Sequence, residues 1–266
     1  STDQIQALLT SQLGALSTSG VRALTTDQLV SLTTDQVAGL NTRTVQALST
    51  DAIAALTTAQ IGVVNTAGLA ALSTGQVKAL STDAVIALST YQVANLTTAT
   101  MAALSTAQVA AIETTDIQAL GTRQLAGLAT STVSALTTDQ VIALTTYQVS
   151  NLSTATLKAL STDQVAAIET SDIQVLTTGQ LSGLATSTVA ALTTDQVIAL
   201  TTYQVSNLST TTLQALSTDQ VAAIETRDIQ ALKTSQLATI ATSTVAALST
   251  DQIQALLTSQ LGALST

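Results

Sequence analysis

A threonine stands at every eighth residue of this chain, from Thr2 to Thr266, without exception. Two apolar registers keep the same period: one begins at Ile5 and always holds Leu, Ile, Val or Met, and the other begins at Leu8 and always holds Leu, Ile or Val. We number each octad from position 1, starting at Ser1, so that the fixed Thr is position 2. Such regularity predicts a repeat array, in which each unit buries its apolar face on its neighbours.

The octad runs unbroken, so we expect one continuous domain over residues 1–266. Hydrophobic residues make up 46% of the chain but aromatic residues only 1%. Burial must therefore come from Ala, Leu, Val and Ile, in thin and closely spaced layers rather than a bulky core.

Composition argues against several classes of function. The chain has no Cys and no His, which removes thiolate and imidazole catalysis, disulfides and the commonest soft metal ligands. We therefore expect neither an enzyme nor a cofactor. The net charge of −9 disfavours nucleic acid as a partner, because DNA and RNA binding needs clustered Lys and Arg. No apolar run approaches the roughly twenty residues of a membrane span.

The spacing of the apolar registers predicts very short helices. In the eight residues 136–143, LTTDQVIA, Val141 and the following Leu144 are three apart and share a helical face. The next step, from Leu144 to Val149, is five residues, which no straight helix keeps on one face. Each helix must therefore stop after about five or six residues and restart in the next octad.

The fixed threonines are the predicted N-caps, because a Thr hydroxyl can accept from a backbone N–H two or three residues further on. The representative caps are Thr138, Thr146, Thr154 and Thr162. The prediction is an all-α solenoid with one Thr-capped helix per octad.

A β-solenoid is the alternative fold, favoured by the abundance of Thr, Val and Ile. Against it, Ala, Leu and Gln are good helix formers, and Gly and Pro are missing from fixed corner positions. The two apolar registers are also an odd number of residues apart, which would place them on opposite faces of a strand.

A longer repeat of seven octads, or 56 residues, covers residues 81–248. Residues 137–192 and 193–248 match at 47 of 56 positions. Tyr91, Tyr147 and Tyr203 recur with this period and are the candidate partner-contact residues. One hypothesis is that seven octads make one superhelical turn, which would stack such residues in columns.

Glu-Thr-Xaa-Asp motifs recur with the same period at residues 113–116, 169–172 and 225–228. Their carboxylates are the ligand type that Ca²⁺ prefers. Two acids are few for a tight site, however, and acids also suit the positive end of a helix. The sequence therefore favours a structural role, with no metal site.

Two resemblances follow from the octad. The phrase LTTDQVIAL at residues 136–144 and 192–200 is similar to the opening of the repeats in TAL effectors, which form a superhelix. Across the whole chain, the LTTDQV-type octads resemble low-complexity arrays in very large bacterial secreted or surface proteins, some of them adhesin-like. That resemblance implies an extended extracellular spacer or scaffold.

We therefore expect a structural segment of an exported or cell-surface bacterial protein, adhesive or self-associating. Residues 1–18 and 249–266 are identical, which suggests end-to-end association. The main alternative is a scaffold that binds a peptide, glycan or protein. A minor alternative is ice binding through the threonine array, disfavoured if each Thr hydroxyl is engaged as a cap.

Overall fold

The computed structural model describes residues 1–264, and within that range it contains short α-helices and no β-strand. The prediction of an all-α array with one helix per octad is confirmed, and the β-solenoid alternative is wrong. The chain divides into two compact units: unit 1 is Ser1–Leu136, and unit 2 begins at Thr137. The single continuous domain expected from the octad stays a prediction.

The helices of unit 1 all begin at a fixed Thr: α1 Thr2–Gln6, α2 Thr10–Gly14, α3 Thr18–Arg22, α4 Thr26–Val30, α5 Thr34–Ala38, α6 Thr42–Ala47, α7 Thr50–Ala54, α8 Thr58–Ile61, α9 Thr66–Ala70, α10 Thr74–Ala79, α11 Thr82–Ile86, α12 Thr90–Ala94, α13 Thr98–Ala103, α14 Thr106–Ala110, α15 Thr114–Ala119, α16 Thr122–Gly127 and α17 Thr130–Val133.

The helices of unit 2 do the same: α18 Thr138–Ile142, α19 Thr146–Ser150, α20 Thr154–Ala159, α21 Thr162–Ala166, α22 Thr170–Val175, α23 Thr178–Gly183, α24 Thr186–Val189, α25 Thr194–Ile198, α26 Thr202–Ser206, α27 Thr210–Ala215, α28 Thr218–Ala223, α29 Thr226–Ala231, α30 Thr234–Leu237, α31 Thr242–Val245, α32 Thr250–Ala255 and α33 Thr258–Leu261.

A link of two to four residues joins each helix to the next, and it ends in extended backbone. After α20, Leu160 has φ −63° and ψ 141°, and Ser161 has φ −72° and ψ 168° before α21 begins. No described residue has a positive φ. The turn therefore needs neither a left-handed Gly nor a Pro, which explains why the octad has no fixed position for either.

The two apolar registers form the core of each unit. In α25 and the residues after it, Val197 and Leu200 are only 1% and 2% exposed, and the same two positions are buried in most octads. A cavity among Leu80, Val93 and Leu104 in unit 1 has a volume of about 10 Å³, which is room for at most one water molecule. The aliphatic interior is thus closely packed, as the composition predicted.

Within each unit, a helix packs chiefly against the helix three octads further along. Examples are α10 with α13 in unit 1, and α19 with α22 in unit 2. Hydrogen bonds also reach back to the helix four octads earlier, as from Gln196 in α25 to Val165 in α21. One superhelical turn therefore takes between three and four octads.

The hypothesis of seven octads per turn is wrong. A core built from Leu, Val and Ala encloses little space, and links of two to four residues turn the chain sharply, so the circuit closes in about half that number. Seven octads correspond to about two turns within a unit.

Candidate functional site

Position 4 of most octads holds a glutamine, and this glutamine is buried in every octad after the fourth that carries it. Gln60 is 2% exposed, and its side-chain oxygen accepts from the backbone N–H of Thr57 at 3.0 Å. The Thr57 hydroxyl accepts from the Gln60 N–H at 3.2 Å in return. This reciprocal pair is a capping box, with Gln at the third helical position.

The other end of the same amide ties one turn of the superhelix to the previous turn. Gln60 Nε2 donates to the carbonyl oxygens of Leu29 at 2.9 Å, Val30 at 3.2 Å and Leu32 at 2.9 Å. In unit 2, Gln204 Nε2 donates in the same way to Ile173 at 2.8 Å and Leu176 at 2.7 Å. Each such Gln therefore satisfies a helix start in its own octad and a helix end in the turn below.

Sequence reasoning treated position 4 as variable and missed this ladder. A signal was present, because Ser or Thr followed three residues later by Gln is the pattern of a capping box. The contact with the previous turn has no local signal, since its acceptors lie 28 to 31 residues earlier.

The predicted caps at Thr138, Thr146, Thr154 and Thr162 are wrong by one residue. The caps of these four helices are Thr137, Thr145, Ser153 and Ser161, whose hydroxyls accept from the N–H three residues further on at 3.0–3.2 Å. The reason is backbone conformation: position 1 is extended, as an N-cap must be, whereas the fixed Thr is already the first helical residue.

The fixed Thr instead lies at the contact between successive turns. A Cβ added to Gly183 would lie 3.1 Å from Thr154 Cβ and 3.2 Å from its Cγ2, and Gly127 stands in the same relation to Thr98. Position 7, where Gly, Ala and Asn occur, therefore packs against the fixed Thr of the turn below. This close approach favours the small residues Ala and Gly, which fill position 7 in most octads; Val63, Val175 and Thr239 are larger exceptions.

The candidate partner-contact residues are exposed. Tyr91, Tyr147 and Tyr203 are each 71% exposed. Each belongs to a helix whose end is fixed by an asparagine: the side-chain nitrogens of Asn95, Asn151 and Asn207 donate to the carbonyl oxygens of the respective tyrosines at 2.8 Å. The aromatic rings thus project from well-defined helices within their own units.

Apolar residues with the same 56-residue period lie near these tyrosines in the sequence. Ile86, Ile142 and Ile198 are 45%, 45% and 42% exposed, each five residues before a tyrosine. Within the described chain, these octads therefore present large apolar side chains that most octads do not.

The Glu-Thr-Xaa-Asp motifs place their Asp at the buried position 4. Asp116, Asp172 and Asp228 are 2%, 1% and 1% exposed. Burial raises the pKa of the Asp172 carboxyl; the hydrogen bond from Thr146 acts in the opposite direction, and the charge of Glu169 adds to the increase. In α29, the Asp228 carboxylate accepts from the Thr202 hydroxyl at 2.5 Å.

Within residues 1–264, no three His, Cys, Asp or Glu side chains gather as a metal cluster. None of the described helices has the length and apolar composition that a membrane crossing requires.

The octads of this chain match a known family of repeats. The model of the ALTTAQ repeat matches residues 5–42, 34–66, 64–98, 109–146, 165–202, 221–258 and 229–266, which together make up most of the chain. The chain belongs to the ALTTAQ-repeat family. No curated protein matches the sequence.

The structure gives four letters of the ALTTAQ motif a physical role at residues 55–60, which read ALTTAQ. Leu56 is a core residue and Thr57 is the N-cap. Thr58 begins the helix, and Gln60 links two turns. The family motif thus spans the junction between two helices rather than one helix.

Proposed function

We propose that this ALTTAQ-repeat array is a non-enzymatic structural spacer in an exported or surface-attached bacterial protein. The observation that carries the proposal is the position-4 glutamine ladder. Its hydrogen bonds are made within the array, from one turn to the previous one, so an octad added in register extends the same structure. Repeat arrays of this kind grow in length without needing a new core.

Deleting one 56-residue block tests the spacer role. Removal of residues 137–192 joins Leu136 to Thr193 in register, and helical content per residue should stay unchanged by circular dichroism. The spacer proposal predicts that the maximum dimension from small-angle scattering falls when this block is removed. A matched deletion of 52 residues, 137–188, breaks the register and should lower helical content. Equal behaviour of the two deletions would contradict the proposal.

The second candidate function is a binding scaffold for a peptide, glycan or protein, favoured by the exposed Tyr91, Tyr147 and Tyr203. Tyr is enriched where proteins bind partners, because one ring supplies a large contact area at low entropic cost. A glycan and peptide array probed with the wild type and a triple Tyr→Ser variant tests this role. The matched control replaces Ile86, Ile142 and Ile198 by Ser. A signal that the Tyr variant retains would reject the scaffold.

Ice binding keeps one supporting observation, because the fixed threonines are not the caps. Thr138, Thr146, Thr154 and Thr162 are all exposed. A thermal-hysteresis assay on the isolated chain tests it, and an absence of hysteresis at millimolar protein would remove this candidate.

Self-association completes the proposal for a polypeptide of residues 1–266. Helix α1 has no buried residue, and Leu9, Leu257 and Leu261 are 65%, 51% and 42% exposed. The end repeats of an array expose apolar surface and associate with one another unless polar residues cap them. Light scattering should show a mass that rises with concentration, and a strict monomer at high concentration would reject end-to-end association.

A further inference from the structure

The three Glu-Thr-Xaa-Asp motifs put a carboxylate where most octads carry a glutamine amide. In the octads with glutamine, the amide nitrogen donates to main-chain carbonyl oxygens of the previous turn, as Gln196 does to Ile168 at 2.6 Å. An ionised carboxylate has acceptor atoms only and cannot replace that donor. Each Asp therefore brings negative charge to a buried place that elsewhere in the same unit receives an N–H.

In the first two motifs, one carboxylate oxygen of the buried Asp has no hydrogen-bond donor beside it. Oδ2 of Asp116 and Oδ1 of Asp172 are buried and have no hydrogen-bond partner. The Thr146 hydroxyl hydrogen-bonds to the Asp172 carboxyl, and Glu169 is close enough for its charge to act on that group. A buried carboxylate with an unpaired oxygen is costly, so it calls for a cation or a proton.

The third copy contains a cation of its own. Arg227 Nε lies 2.7 Å from Glu225 Oε2 and 3.6 Å from Asp228 Oδ1. The corresponding residues of the other copies are Thr115 and Ser171, which are neutral. One of three otherwise similar carboxylate pairs therefore has a guanidinium beside it.

We propose that the pairs Glu113–Asp116 and Glu169–Asp172 bind a divalent cation, in the place that the Arg227 guanidinium takes beside Glu225 and Asp228. Carboxylate and hydroxyl oxygens are the hard ligands that Ca²⁺ prefers, with water completing its coordination. Two carboxylates per site make a weak site, so the affinity belongs to the range of about 10⁻⁴ to 10⁻³ M typical of extracellular Ca²⁺ modules.

The natural difference at Arg227 supplies the test. Ca²⁺ is titrated by calorimetry into the full chain after chelation, and the wild type should show two weak sites. Ser171→Arg should remove one of them and Arg227→Ser should add one. Ser187→Arg is the matched control, because Ser187 is exposed at the same octad position but follows Ala185 and precedes Thr188 instead of two acids. This control should leave both sites intact.

Asp172→Asn provides a second measurement, with circular dichroism to establish that the helices persist. Ca²⁺ should raise the thermal midpoint of the wild type, and by a smaller amount in this variant. Binding that is unchanged by both Ser171→Arg and Arg227→Ser would overturn the proposal. A second result would also overturn the proposal: Ca²⁺ leaves the thermal midpoint of the wild type unchanged, while acidification raises it. The buried carboxyls would then hold a proton instead of a metal ion.

Discussion

The side-chain nitrogen of Gln196 lies 2.6 Å from the carbonyl oxygen of Ile168, twenty-eight residues earlier, while the oxygen of the same amide accepts from the Thr193 N–H at 2.9 Å. One buried side chain therefore closes the start of its own helix and the end of a helix in the previous turn. Hydrogen bonds of both kinds are made away from water, where an unpaired group is costly.

Replacing this amide should destabilise unit 2. Gln196→Met keeps much of the side-chain volume but leaves the Thr193 N–H and the Ile168 carbonyl without their partner. We expect a loss of about 1–3 kcal/mol in the free energy of unfolding, measured by urea titration. Gln174→Met is the control, because Gln174 is exposed on the outer face of α22. Equal losses in the two variants would contradict the role of the ladder.

The position of the N-cap can be tested with two adjacent threonines. Thr193 accepts from the Gln196 N–H at 3.1 Å, whereas Thr194 is the first residue of α25. Thr193→Ala should lower the free energy of unfolding by about 1 kcal/mol, the usual cost of losing a cap. Thr194→Ala should cost less, measured by the same urea titration. The reverse order would place the cap back on the fixed Thr.

The contact between turns predicts different responses from two glycines of α23. Gly183 faces Thr154 so closely that even a Cβ would lie 3.1 Å from the Thr154 Cβ, whereas the nearest atom to a Cβ at Gly179 is 3.9 Å away. Gly183→Leu should therefore cost about 1–3 kcal/mol through overpacking. Gly179→Leu should be neutral or stabilising, because Leu is the better helix former. Thermal midpoints of the two variants give the comparison.

The buried Asp172 predicts a pH dependence in the absence of divalent ions. Burial raises the pKa of Asp172 above the ordinary value of 3.8. The hydrogen bond with Thr146 opposes this increase, and the negative charge of Glu169 adds to it. The folded state then holds the proton more tightly than the unfolded state. The stabilising contribution is complete below the ordinary pKa and is lost as the pH rises through the folded-state pKa.

The measurement is the difference in unfolding midpoint between the wild type and Asp172→Asn, taken in chelator at neutral pH and near pH 4. The variant should be the more stable at neutral pH, and the difference in unfolding midpoint should become smaller on acidification. Asp195→Asn is the control, because Asp195 is exposed on α25, which packs against α22. A gap that stays constant with pH would show that Asp172 titrates alike in both states.

The sequence by itself determined the local structure of this ALTTAQ-repeat protein. Val197 and Leu200, three residues apart, could only share a face on a helix, and the five-residue step that follows required an interruption. Both residues are buried, and each helix ends within six residues, as that spacing predicts. Hydrophobic periodicity is a local property, so it can be read without any knowledge of distant partners.

Only the tertiary structure decided which polar residues hold the array together. The assignment of the cap to Thr138 failed by one residue, because Thr137 and Thr138 have similar side chains and only backbone conformation separates them. The turn of three to four octads and the role of Gln196 depend on carbonyl groups 28 to 31 residues earlier. A repeated octad offers the same local pattern at every distance, so the sequence cannot specify which earlier turn each glutamine will meet.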